Sequence, residues 1–103
     1  MTVPMMSVGG IGVISVVSNI APRFVHDMCM KALNGDFAGA AAMQLSELDL
    51  VDALFCETNP IPVKEAMNMM GMEVGPLRKP LVPMADKNRE KLRKAMTEFG
   101  LLK

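Results

Sequence analysis

Residues 12–17 read Gly-Val-Ile-Ser-Val-Val, and this stretch decides the fold prediction. It is almost wholly apolar and rich in β-branched residues, with glycines before it and Ser18 and Asn19 after it. Such a run is typical of a strand buried on both faces, as in parallel sheets that are covered by helices. Because a helix is predicted to begin soon afterwards, at Pro22, the pattern indicates a βα unit.

Helices are predicted in the rest of the chain from the spacing of apolar residues and from start and stop signals. Pro22 begins one helix and Gly35 ends it, and Asp36 is the expected N-cap of the next. Asn59 is the expected N-cap of a short helix whose first residue is Pro60. The predicted helices cover residues 2–8, 22–34, 36–56, 60–70 and 86–99, and an extended, proline-rich linker covers residues 75–83.

The longest of these helices, residues 36–56, is expected to bury one face and expose the other. On the buried face we expect Phe37, Ala40, Ala41, Leu45, Leu48, Val51, Leu54 and Phe55. On the exposed face we expect Gln44, Glu47, Asp49 and Asp52.

Composition excludes several classes of function. The 103 residues suffice for one small domain, whereas a (β/α)8 barrel typically needs about 250. Eleven basic residues balance eleven acidic ones, so a nucleic-acid partner is not expected. With no Trp, no Tyr and a single His, most acid–base and metal constellations cannot be assembled, and neither a cofactor nor a metal is expected.

Residues 1–22 carry no charge and are about as long as a membrane-spanning helix. Pro4, Gly9, Gly10 and Gly12 interrupt the stretch and no basic residue precedes it, so neither a span nor a cleaved signal is expected. The two cysteines, Cys29 and Cys56, match neither a zinc knuckle nor a disulfide framework. We expect both to be buried thiols in a reducing cytoplasm.

Three features that suggest chemistry have simpler interpretations. The glycines between Gly9 and Gly12 precede the predicted strand, whereas a phosphate-binding loop must follow one. His26 is expected to lie on a helix surface without a catalytic partner. Lys64 lies at a proline-rich helix start, where an amine stays solvated and charged, so structural tethering is predicted rather than Schiff-base chemistry.

The predicted strand has no partner within the chain. A strand with two apolar faces leaves two rows of backbone donors and acceptors unpaired unless other strands lie beside it. No second stretch of these 103 residues is a convincing strand. The missing partners must therefore come from elsewhere.

Two motifs connect the chain to a known family. Residues 9–22 read G-G-I-G-V-I-S-V-V-S-N-I-A-P and residues 57–64 read E-T-N-P-I-P-V-K. Together they resemble the dihydrodipicolinate synthase family, also called 4-hydroxy-tetrahydrodipicolinate synthases, and the second motif is the more specific. The resemblance extends over essentially the whole chain. Its structural motif consists of Asn59, Pro60, Ile61, Pro62 and Lys64.

The resemblance implies a mostly α fragment of an α/β fold, the (β/α)8 or TIM barrel. Residues 1–35 would be the end of the barrel, namely a remnant of helix seven, strand eight and helix eight. Residues 36–103 would be a C-terminal three-helix extension. Met1 would then fall inside helix seven, as expected for a truncated reading frame, an excised fragment or a part of a larger protein.

The resemblance also implies a function. Members of the family condense pyruvate with aspartate semialdehyde in lysine and diaminopimelate biosynthesis, through a Schiff base on a lysine of strand six. A tyrosine of strand five and a threonine pair of strand two relay protons, and none of these segments is present here. The chain alone is therefore expected to be inactive, with no catalytic residue of its own. By resemblance, Ile14, Ser15 and Val16 would line the pyruvate pocket.

The expected partner is the rest of the barrel, in the same or a companion chain, in the cytoplasm and in a possible homo-oligomer. A different interpretation is a stand-alone helical interaction or oligomerisation module without catalytic activity, in which residues 12–17 pair with those of a second copy. A third is a small membrane protein anchored by residues 1–22.

Overall fold

The computed structural model describes residues 1–103 and contains six α-helices, one 3₁₀ turn and no β-strand. The α-helices are α1 (Thr2–Ser7), α2 (Pro22–Leu33), α3 (Phe37–Ser46), α4 (Leu48–Leu54), α5 (Ile61–Met69) and α6 (Asp86–Phe99). The 3₁₀ turn is Val17–Asn19. The chain divides into two compact units, Met1–Leu48 and Asp49–Lys103. No helix is long and apolar enough to cross a membrane.

The Met1–Leu48 unit is built from α1, α2 and α3. Its core consists of Val3, Met6, Met28, Ala32 and Ala40, with Phe24, Cys29, Ala41 and Met43 packed against it. Gln44 of α3 accepts a hydrogen bond from the backbone N–H of Val3 at 2.6 Å, so α3 caps the start of α1.

Asp36 is the N-cap of α3, as predicted. Its Oδ1 accepts a hydrogen bond from the backbone N–H of Gly39 at 2.8 Å. This bond, followed by a contact with Lys31, lowers the pKa of Asp36. A Cβ atom at position 39 would meet the Asp36 carboxylate, so any other residue here would require the cap to shift.

The Asp49–Lys103 unit contains α5 and α6, which pack against each other. Gly100 ends α6 in the left-handed conformation, with φ of 94°, as its position in the sequence predicts. The largest fully buried side chains of this unit are Leu50, Leu54, Pro62, Leu92 and Met96.

The start of α6 is capped by a distant residue. Its N-cap, Ala85, has no side chain able to accept a hydrogen bond. Instead, Oε2 of Glu57 accepts one from the backbone N–H of Ala85 and one from Nδ2 of Asn88, both at 3.0 Å. One carboxylate oxygen therefore fixes the first turn of α6, although Glu57 precedes Ala85 by 28 residues and Asn88 by 31.

The predicted strand at residues 12–17 does not form. Residues 11–15 are neither helix nor strand, and the backbone groups of residues 11–14 form no hydrogen bond. Val17, predicted as the last residue of the strand, instead begins the 3₁₀ turn. A strand is defined by hydrogen bonds to a neighbour, and these 103 residues supply none.

The predicted helix of residues 36–56 is two helices, because the chain breaks at Glu47 with φ of −95° and ψ of −1°. The break changes which face is buried, so the expected faces were partly wrong. Glu47, expected on the exposed face, is buried. Four residues expected on the buried face are exposed: Phe37, Leu45, Leu48 and Phe55.

The helix predicted from Pro60 begins one residue later. Pro60, with φ of −99° and ψ of 20°, is the N-cap rather than the first helical residue, and Asn59 is not the cap. Pro62 occupies the first turn instead, where a missing N–H costs no hydrogen bond. The helices predicted at residues 2–8, 22–34 and 86–99 are confirmed within one residue at each end.

Replacement of Glu57 by alanine should destabilise the Asp49–Lys103 unit, because two donors at the start of α6 lose their acceptor. We expect a loss of about 1–3 kcal/mol in the free energy of unfolding. Urea unfolding followed by circular dichroism measures it. Glu90→Ala, on the exposed surface of α6, is the matched control and should cost less than about 0.5 kcal/mol. Equal losses would contradict the capping role.

Candidate functional site

The end of the predicted strand is fixed by a hydrogen-bonded turn. Oγ of Ser15 accepts from the backbone N–H of Ser18 at 3.0 Å, and Oγ of Ser18 donates to the carbonyl of Ser15 at 2.8 Å. The side-chain amide of Asn19 donates to the carbonyl of Val16 at 3.0 Å. Val17 and Ile20 are buried beneath the turn. Residues 15–20 are thus held in one conformation by local bonds and by the core.

The extended residues 11–14 that precede this turn are exposed and apolar. Ile11 is 85% exposed, and Ile14 is as exposed as in an open chain, at 106%. Val13 is 44% exposed, and Val16 is half-buried. Several neighbouring apolar side chains in water next to unpaired backbone groups are typical of a surface that another element covers.

The three predicted pocket residues therefore differ in their surroundings. Ile14 is fully exposed, whereas Ser15 and Val16 are half-buried. The hydroxyl of Ser15 is already bonded within the turn. Only Ile14 has its whole side chain available for contact.

The residues of the 57–64 motif are divided between surface and core. Asn59 and Pro60 are exposed, whereas Ile61 and Pro62 are buried at the start of α5. Nζ of Lys64 donates to the carbonyl of Pro76 at 2.7 Å. This motif lies in the Asp49–Lys103 unit, and Ile14, Ser15 and Val16 lie in the other.

Two side chains of α5 hold the proline-rich linker. Lys64 bonds to Pro76, and Nδ2 of Asn68, one helical turn later, donates to the carbonyl of Gly75 at 3.0 Å. The cavity beneath the linker is about 130 Å³, well below the roughly 300–1,000 Å³ of typical ligand pockets. We call the linker of residues 75–83, tethered by Lys64 and Asn68, the strap. Its role is structural, because the cavity beneath it is too small for a typical ligand.

The remaining candidates for chemistry are dispersed. His26 is exposed, and its Nδ1 lies 3.0 Å from Oδ1 of the neighbouring Asp27. No three His, Cys, Asp or Glu side chains are grouped to hold a metal ion. Five lysines lie on helices: Lys31, Lys64, Lys87, Lys91 and Lys94.

The cysteines, predicted to be buried, are half-buried instead. Cys29 packs at the edge of the core of the Met1–Leu48 unit. Burial raises the pKa of the Cys29 thiol, and the nearby charge of Glu47 raises it further. The thiol is therefore kept protonated and unreactive.

Glu47 is the polar residue that sequence reasoning placed wrongly. It is 6% exposed, and its Oε2 has no hydrogen-bond partner. Burial raises the pKa of its carboxyl, and the Met1 ammonium opposes this to a lesser degree. No sequence signal marked it, because its burial follows from the break between α3 and α4.

The chain matches a known protein family along nearly its whole length. The sequence profile of the dihydrodipicolinate synthetase family matches residues 1–99. The chain therefore belongs to this family, whose members are (β/α)8-barrel lyases.

Its relatives are similar over nearly the whole chain but are three times as long. The 4-hydroxy-tetrahydrodipicolinate synthase of Thermoanaerobacter sp. strain X514 is 57% identical over 98% of the chain, which is 34% of that protein. The crystal structure of the Thermotoga maritima dihydrodipicolinate synthase is 44% identical, with a TM-score of 0.94 over 98% of this chain and 34% of that one. The Acinetobacter baumannii synthase, crystallised with pyruvate, is 39% identical, with a TM-score of 0.92. The match covers 97% of this chain and 34% of that synthase.

Replacement of Lys64 by methionine should release the strap, because the carbonyl of Pro76 loses its donor while the aliphatic stem is kept. We expect a cost of about 0.5–1.5 kcal/mol and faster proteolysis within residues 75–83. Limited proteolysis with mass spectrometry measures the cleavage. Lys87→Met, on the exposed surface of α6, is the control. Unchanged cleavage in the Lys64 variant would contradict the tether.

Proposed function

We propose that this chain forms the C-terminal third of a 4-hydroxy-tetrahydrodipicolinate synthase and completes its barrel. The observation that carries the proposal is segment 11–14, which has unpaired backbone and exposed apolar side chains. A closed barrel removes such edges by pairing every strand. The match to 34% of a curated synthase supports the same conclusion.

In this proposal residues 12–17 are the eighth strand and become regular only when neighbouring strands are present. Residues 1–35 are then the end of the barrel, with α1 as part of helix seven and α2 as helix eight. Residues 36–103 are the helical extension. The partner is the preceding part of the barrel, in the same or a companion chain, and the complete protein acts as an oligomer in the cytoplasm.

Ile14, Ser15 and Val16 line the pyruvate pocket of the assembled enzyme. The exposed side chain of Ile14 supports a role in shaping that pocket. Oγ of Ser15 accepts a hydrogen bond from the backbone N–H of Ser18, and this bond fixes the position of the hydroxyl. Binding of pyruvate by the related Acinetobacter baumannii synthase supports the choice of ligand.

The isolated chain is inactive in this proposal. Condensation of pyruvate with aspartate semialdehyde through a Schiff base needs a lysine that can lose its proton and a group that relays protons. The ammonium of Lys64 is bonded to a backbone carbonyl, that of Lys91 is paired with Asp52, and the chain has no tyrosine. Lys64 is half-buried and the other lysines are exposed, so none lies in the apolar pocket that activates a Schiff-base lysine.

The same exposed segment favours a second candidate. Residues 12–17 of two copies would pair edge to edge and make the chain a homotypic interaction module without catalysis. The two functions differ in their partner, since one needs the rest of a barrel and the other needs only a second copy.

Treatment of the chain with pyruvate and borohydride should leave its mass unchanged, because no lysine is activated for Schiff-base formation. Intact-mass spectrometry measures this. A synthase of full length, such as the Thermotoga maritima enzyme, is the positive control. A stable pyruvate adduct on any lysine of this chain would contradict the proposal that the isolated chain is inactive.

Mixing the chain with the part of the Thermoanaerobacter synthase that precedes the matched region should restore condensation that neither piece has alone. Ile14→Asp should reduce the restored rate by roughly 10²-fold, because a charge in the pocket displaces pyruvate. Val82→Asp, the same change at an exposed linker position, should have little effect.

The rate of condensation and the mass of the complex by light scattering distinguish the two candidates. Dimers of the chain that persist in the presence of the complementary piece, without activity, would favour the homotypic module and contradict barrel completion.

A further inference from the structure

Glu47 is the single charged residue among the buried positions of the chain. It lies where α3 ends and α4 begins, with 6% of its surface exposed. Its Oε2 is fully buried and has no hydrogen-bond partner. A native protein seldom leaves a buried polar atom unpaired, so this carboxyl requires an explanation.

The surroundings of Glu47 offer little to stabilise a negative charge. On α2, the Cys29 thiol is near enough for the charge of Glu47 to affect its pKa. The Met1 ammonium, at the start of α1, is the opposite charge that acts on Glu47. α1 and α3 contain no ionisable side chain, and those of α2 other than Cys29 are exposed: Arg23, His26, Asp27 and Lys31.

The protonation state of Glu47 therefore affects the packing around it. A neutral carboxyl is buried at moderate cost, whereas an ionised one without a full set of partners is strongly disfavoured. α3 packs against the core through Ala40, Ala41 and Met43, and its Gln44 bonds to the backbone of Val3. Release of the end of α3 would return the charge of Glu47 to water, and it would cost the packing of Met43 and the hydrogen bond of Gln44.

We propose that Glu47 is a proton-operated latch that keeps α3 packed in the Met1–Leu48 unit when its carboxyl is protonated and releases the end of α3 when it ionises. The geometry that supports it is the buried carboxyl, whose Oε2 has no partner, at a helix break next to a helix of small side chains.

The direction of the pH effect follows from the higher pKa of Glu47 in the packed state. Both states are protonated below the ordinary glutamate pKa, so the packing is then complete. As the pH rises through the raised pKa, the released state loses its proton more readily and becomes more populated. The stability of α3 packing is therefore lost with increasing pH.

Carbon-detected NMR of the full chain, labelled at the glutamate carboxyls, tests this between about pH 4 and pH 8. The Glu47 resonance should titrate above the other glutamates. Over the same range, amide exchange in α3, corrected for the intrinsic rate, should increase several-fold in the wild type. Glu47→Gln keeps the shape of the side chain without the charge, and its α3 exchange should not respond to pH.

Glu90→Gln makes the same change at an exposed position of α6 and should behave as the wild type. Two results would overturn the latch. One is a Glu47 resonance that titrates with the exposed glutamates. The other is an α3 exchange profile that has the same pH dependence in the wild type and in Glu47→Gln.

Discussion

The backbone of residues 11–14 has hydrogen-bond donors and acceptors that no other part of the chain satisfies. This constraint distinguishes the segment from the helices, which form within the chain. Helices complete most of their hydrogen bonds locally, so all six form within these 103 residues. A strand depends on neighbours, so the most strand-like stretch stays extended and unpaired. The same stretch is the most exposed apolar part of the Met1–Leu48 unit.

Within each compact unit, a distant side chain accepts a hydrogen bond from an unpaired backbone N–H group at the start of a helix. Gln44 serves the start of α1, and Glu57 serves the start of α6. In both cases the N-cap residue itself, Met1 or Ala85, contributes no side-chain bond. The starts of α1 and α6 are thus fixed by tertiary contacts rather than by the local sequence.

This division explains how much could be predicted from the sequence. Signals that act within a few residues, such as Asp36 before α3 and Gly100 after α6, predicted the helix ends correctly. The break at Glu47 has no proline or glycine to mark it, so one continuous helix was predicted and its faces were partly wrong. In the candidate site, the apolar character of Ile14 was evident, but its complete exposure depends on the missing partner strands.

The single carboxylate oxygen of Glu57 also affects the order in which the Asp49–Lys103 unit can fold. This oxygen bonds to Ala85 and Asn88, which lie 28 and 31 positions after Glu57. The chain between them, which includes α5 and the proline-rich linker, must therefore close into a loop before the bonds can form. Closure of such a loop is entropically costly, and the cost is met before the bonds are gained. The first turn of α6 is therefore expected to become ordered late, after α5 has folded against the linker.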